Sequence, residues 1–160
     1  MPFIQPEIRS FPGKVLVGIH QDMSVADNQT LSLWRRFMGR RHEIENQVSD
    51  ELYSLQLYPM GYFQRFDPTA VFTKWAALEV STTENIPGNM HVFDLASGLY
   101  AVFHYKGMPG NPEIFQYIYG EWLQGSGYML DQRPHFEILG RHYKPDHPDS
   151  EEEIWIPIRK

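Results

Sequence analysis

Glu137 is the residue whose surroundings make it chemically conspicuous. It sits in Pro134-His-Phe-Glu-Ile-Leu139, a run whose alternation reads as a strand placed at or near the centre of a sheet. A carboxylate there loses water. It must rise in pKa and stay neutral, or find a positive partner. No lysine stands near it in the chain. It therefore has three readings: an acid at a wet edge, an acid paired with a distant arginine, or an acid whose cation arrives with a ligand. In the third reading it either selects cations as a counterion or, with its pKa raised, takes a proton from water as a general base.

Other chemistries find little footing. The 160 residues contain no cysteine, which removes disulfide scaffolds, thiol nucleophiles and zinc–thiolate sites. His135, His142 and His147 are spaced for strand and loop, not for a metal on a helix face, so no metal and no cofactor are expected. No glycine-rich phosphate loop is present. Fourteen basic residues against 20 acidic ones leave a net charge of −6, a poor basis for holding nucleic acid. Arg35, Arg36, Arg40 and Arg41 read as the wet face of a helix. Glu151-Glu-Glu153 reads as a solvated loop edge.

The elements that must hold Glu137 follow from periodicity. Strands are expected at Lys14–His20, Leu52–Tyr58, Phe72–Val80, Leu99–Tyr105, His135–Leu139 and Glu153–Arg159. Helices are expected at Thr30–Glu45, with Asp27 or Asn28 as cap, and at Ile114–Leu123. The second helix has Asn111, Pro112 and Glu113 at its start and Gly125-Ser-Gly127 at its end. The order strand, helix, strand, strand occurs twice, at an offset of 84 residues that carries Tyr53 onto Glu137 and His20 onto His104. Each half is too small for its own core. The expected fold is α+β, a single domain over 1–160. Its halves, about 8–80 and 92–160, share one antiparallel sheet with two main helices on one face and a ligand groove between them; residues 81–98 form the junction. The offset also predicts that Tyr53 and Glu137 look to the same side.

No apolar run approaches the roughly 20 residues that cross a bilayer, and the N-terminus shows no leader pattern, so the chain is expected in the cytoplasm, away from membranes.

Ile118-Tyr-Gly-Glu-Trp-Leu-Gln-Gly-Ser-Gly-Tyr128, Arg133-Pro-His-Phe-Glu137 and Ile154-Trp-Ile-Pro-Ile158 together resemble the GyrI-like small-molecule-binding domain. This is the effector-binding domain of AraC/Rob-type and MerR/BmrR-type regulators, and the resemblance spans essentially the whole chain. It implies a groove for amphipathic, cationic aromatic molecules, with Glu137 in the place of the family's cation-binding carboxylate. Tyr53, Trp75, Tyr119, Trp122 and Trp155 are the candidates for its aromatic wall, and Glu121 is a secondary candidate. No helix-turn-helix precedes the first strand, so a stand-alone sensor or sequestration domain is expected, with no direct contact to DNA. The resemblance also implies two alternatives. One is a cyclopropane-opening hydrolase using Glu137 and Tyr53. The other is an interaction protein with a partner such as gyrase. Free sheet edges also make a homodimer an expectation.

Overall fold

The computed structural model describes residues 4–160. The leader reading of the N-terminus falls in part on residues 1–3 and to that extent lies outside the described residues. Among the described residues, no helix is long and apolar enough to cross a membrane.

Among the described residues, nine strands build one antiparallel sheet: β1 (Glu7–Phe11), β2 (Lys14–Met23), β3 (Leu52–Leu57), β4 (Phe72–Glu79), β5 (His91–Leu95), β6 (Gly98–Lys106), β7 (Met129–Leu130), β8 (His135–Leu139) and β9 (Glu151–Arg159). Their order is β1-β6-β9-β8-β3-β4-β2-β5, with β7 paired to β9. The β3–β8 pair joins the two halves. Helix α1 (Thr30–Arg40) belongs to the first half. In the second half α2 (Pro112–Tyr117) runs through a π-helical turn (Ile118–Trp122) into α3 (Leu123–Ser126).

Local chemistry explains the helix ends. Asn111 accepts from the Glu113 amide at 3.0 Å, and Pro112 occupies the first turn, where a missing N–H costs nothing. Gly127 takes the left-handed conformation that stops α3. Helix α1 is shorter than expected. It ends at Arg40 and tightens into a 3₁₀ turn at Arg41–Glu43, where Arg40 grips Glu43 at 2.9 Å. Asn28 bonds the Thr30 amide at its start, while Gln29 holds the cap position.

Two edge strands were not expected. β1 and β5 are short and half polar, yet the 84-residue offset carries Glu7–Phe11 onto His91–Leu95. Each pairs across to the other half, β1 with β6 and β5 with β2, so the expected junction at 81–98 contains an element of the repeat. Later in the chain the offset slips. Leu55 and Phe136 are cross-strand partners of Trp75 and Trp155, which sets those equivalences at 81 and 80.

The sheet has two apolar faces. One carries Leu16, Tyr53, Leu55, Trp75, Tyr100, Phe136 and Trp155, packed together with Phe11 from β1. The other carries the helices. Leu33 and Phe37 of α1 pack on Val17, Ile19, Ala76 and Leu78, and Ile114 and Ile118 pack on Ala101, Phe103, Ile154 and Ile156. Between those two packed regions lie β3 and β8, the floor of a groove.

Candidate functional site

Strand alternation decides what points into the groove. On the helix side, β3 presents Ser54 and Gln56, β4 presents Lys74, and β8 presents His135 and Glu137. Ser54 is the direct partner of Glu137, and Gln56 lies between Lys74 and His135. Glu137 pairs in turn with Ile154, and Glu152 follows on the same face of β9. A polar strip thus crosses four strands between two apolar regions.

Gln56 links the charges of that strip. With its amide nitrogen turned to the carboxylate, it donates to Glu137 Oε2 at 2.9 Å and accepts from Lys74 Nζ at 3.0 Å. Lys74 is therefore an internal countercharge, which the sequence did not reveal. It reaches Glu137 through the Gln56 amide, with no direct ion pair to it among the described residues.

Burial pushes the Glu137 carboxyl up to about 7, against the pull of Lys74 and the Gln56 hydrogen bond. Glu152 is pushed up to about 8 by burial and by the neighbouring Glu137 charge, with Lys74 again opposing. Burial lowers the Lys74 ammonium, and the two glutamates pull it partly back. Full ionisation of these three groups leaves one net negative charge.

Tyrosines surround the strip. Tyr58, Tyr119 and Tyr143 all lie within the field of Glu137, and their hydroxyls are raised chiefly by burial. Tyr119 Oη meets His135 Nδ1 at 2.8 Å. Burial drops His135 to about 3, so its ring is neutral. The β3–β4 loop adds Tyr62 and Phe63. Phe63 stacks on His135 at 5.2 Å and lies 4.9 Å from Tyr119. Tyr58, Tyr62, Phe63 and His135 line a recess of about 220 Å³. Beside Glu152 a second cavity, about 450 Å³, opens toward Glu51, His104 and Arg141. Glu137, Glu152, Lys74, Tyr58 and Tyr119 all keep partial solvent exposure, as residues of an open groove must.

Of the residues singled out from sequence, the groove brings together Glu137 and Tyr119. Tyr53, Trp75 and Trp155 lie on the opposite face, which corrects the expectation that Tyr53 and Glu137 share a side. Tyr53 pairs with Ile138, and its hydroxyl is bonded by Lys14 at 2.9 Å. Trp75 packs on His20 and Phe93, and Trp155 stacks on Phe136. For Tyr53 the cause is the slipped offset. A change from 84 to 81 is odd, and an odd shift turns every side chain to the other face.

Trp122 and exposed Glu121 line a separate recess of about 560 Å³, near Gln5 and Tyr128. The π turn separates Trp122 from Tyr119. Three residues apart on an α-helix they would share a side. Sequence reasoning missed Gln56, Lys74, Glu152, Tyr58, Tyr143 and the aromatic β3–β4 loop. A lysine and a glutamine inside otherwise apolar strands were the available signal. Among the described residues no cluster of His, Asp or Glu is placed to hold a metal ion.

This architecture recurs in known proteins. The transcriptional regulator BrlR of Pseudomonas aeruginosa PAO1 is 30% identical over 149 residues, covering 92% of this chain and 53% of BrlR. The chain thus spans about half the length of that curated relative. The structure of SAV2435 bound to tetraphenylphosphonium superposes with a TM-score of 0.75 at 17% identity, covering 98% of this chain and 94% of that one. The EcmrR C-terminal domain superposes with a TM-score of 0.69 at 14% identity, covering 99% of each chain. Residues 4–159 match the model of one family. With the duplicated sheet and the groove at its seam, that match places the chain in the GyrI-like small-molecule-binding domain family.

Proposed function

We propose that the groove binds amphipathic aromatic cations, with Glu137 as counterion, and that the chain serves as a sensor or sequestration module. The observation that carries this reading is the charge count of the floor: two carboxylates and one ammonium, the ammonium held off Glu137 by Gln56. Once both carboxyls are ionised, an incoming cation restores neutrality and an anion meets surplus negative charge. Lys74 supplies part of the compensation, so the guest competes with an internal cation for the carboxylate and does not find it bare.

The walls contribute the rest. A tyrosine ring facing a cation is worth about 0.5–2 kcal/mol. Apolar area taken from water adds roughly 25 cal/mol per Å². Rings impose few directional demands, which suits a broad range of flat or globular aromatic guests. Tetraphenylphosphonium on SAV2435 is a cation of this class, and BrlR's name as a transcriptional regulator fits a sensing role. The test is calorimetric titration of tetraphenylphosphonium into the wild-type chain and Glu137→Gln. A loss of affinity of tenfold or more supports the counterion role; equal affinities overturn it.

A second reading is favoured by one observation. A carboxyl near 7 can accept a proton from water, and the Tyr58 hydroxyl beside it has no hydrogen-bond partner among the described residues. Glu137 would then activate water toward an electrophilic guest, with Tyr58 or Tyr119 replacing Tyr53 as the polarising hydroxyl. Multiple turnovers of a cyclopropane-bearing alkylator support hydrolysis; stoichiometric capture alone rules it out.

A further inference from the structure

Lys74 has a chemistry that the counterion reading does not use. The chain has five lysines. Lys106, Lys144 and Lys160 are exposed. Lys14 is engaged by Tyr53 Oη at 2.9 Å and Glu79 at 3.3 Å. Lys74 rises from the middle of β4 into the groove, where its ammonium donates to the Gln56 amide oxygen at 3.0 Å. It keeps partial exposure, so a guest lying on the floor can reach it. Two carboxyl groups, on β8 and β9, stand close enough to feel its charge.

We propose that Lys74 is a covalent capture site for aromatic and α,β-unsaturated aldehydes, which it holds in the groove as protonated imines. The inference rests on the cation-binding reading of the same groove, because its product is itself an aromatic cation.

The step balances without any further reagent. A floor carboxylate takes one proton from the ammonium. The freed nitrogen lone pair attacks the aldehyde carbon, and the carbonyl oxygen becomes a hydroxyl in a carbinolamine. The carboxyl returns its proton to that hydroxyl, the C–O bond breaks, and water leaves. Aldehyde plus ammonium give iminium plus water, with one positive charge before and after and no change of oxidation state.

The surroundings favour both ends of this sequence. Burial lowers the Lys74 ammonium below its ordinary range and raises the free-amine fraction. Glu137 near 7 and Glu152 near 8 exchange protons readily at neutral pH. The iminium then sits where two carboxylates favour positive charge. Tyr58 and Tyr119 offer ring faces to a flat conjugated guest.

The experiment treats the full chain with cinnamaldehyde and sodium cyanoborohydride at pH 7.5, followed by intact mass and peptide mapping. One reduced adduct is expected, on Lys74, in at least tenfold preference over Lys106, Lys144 and Lys160. Excess tetraphenylphosphonium should slow its formation. Lys74→Arg should abolish the adduct while keeping the positive charge, and the wild-type map decides the matter even if that variant folds poorly. Label spread over the surface lysines with Lys74 unmodified overturns the proposal. Tetraphenylphosphonium titration of the untreated chain separates the two ideas. Binding without Lys74 labelling removes the aldehyde site alone, and Lys74 labelling without binding removes the cation reading alone.

Discussion

Ser54 lies directly opposite Glu137 across the β3–β8 seam, and its small, buried side chain occupies the space beside the carboxylate. Replacing it with leucine puts three extra carbons into that space. Ser54→Leu should weaken tetraphenylphosphonium binding by tenfold or more in a calorimetric titration, while Ser54→Ala binds like the wild type. Ser54 is buried, so circular dichroism and a urea melt run beside the titration separate lost binding from lost folding.

Affinity for a permanently charged guest should depend on pH. The guest selects ionised carboxylates, and Glu137 and Glu152 ionise near 7 and 8. Affinity should therefore rise with pH, up to about tenfold per unit below pH 7, and level off above about 8. Proton release on binding, measured in buffers of different ionisation enthalpy, provides the check. Glu137→Gln should flatten the lower part of the curve.

Folding stability should slope the other way. In the unfolded chain these glutamates titrate near 4.5; in the folded one they hold their protons to about 7 and 8. Across that window the folded state carries more protons, so stability falls as pH rises from about 4.5 to 8. Urea midpoints at pH 5 and pH 8 measure the effect. Glu152→Gln should be more stable than the wild type at pH 8, and no difference there would contradict the burial of that charge.

Gly18 gives a test of the frame beneath the site. It sits on β2 between Ala77 of β4 and His91 of β5. A Cβ added there would stand 2.0 Å from the Ala76 carbonyl oxygen and 2.7 Å from Ala77 Cα. Backbone atoms cannot step aside as a side-chain tip can. Gly18→Ala should cost about 1–3 kcal/mol or more in a urea melt.

The sequence was informative where one local rule decides. Strand β8 falls at His135–Leu139 as alternation required, and the Asn111 cap and Gly127 stop are where their chemistry put them. Glu137 was visible as a carboxylate among apolar neighbours. What depends on register was hidden. The partners Gln56, Lys74 and Glu152 come from three other strands and meet Glu137 only once those strands pair. The face of Tyr53 was misassigned because one constant offset was applied across loops of unequal length, and Trp75 and Trp155 were candidates from the resemblance alone, with no face assigned to them. β1 and β5 were missed because five half-polar residues carry too little pattern, although the same offset marks them both.

The π turn at Ile118–Trp122 has a wider consequence. Ordinary α-helical winding over the same residues would advance each of them further around the axis. Trp122 would then be re-aimed relative to Tyr119 while no strand of the sheet moved. The winding of that one turn thus decides which recess Trp122 lines, independently of the strands that carry Glu137.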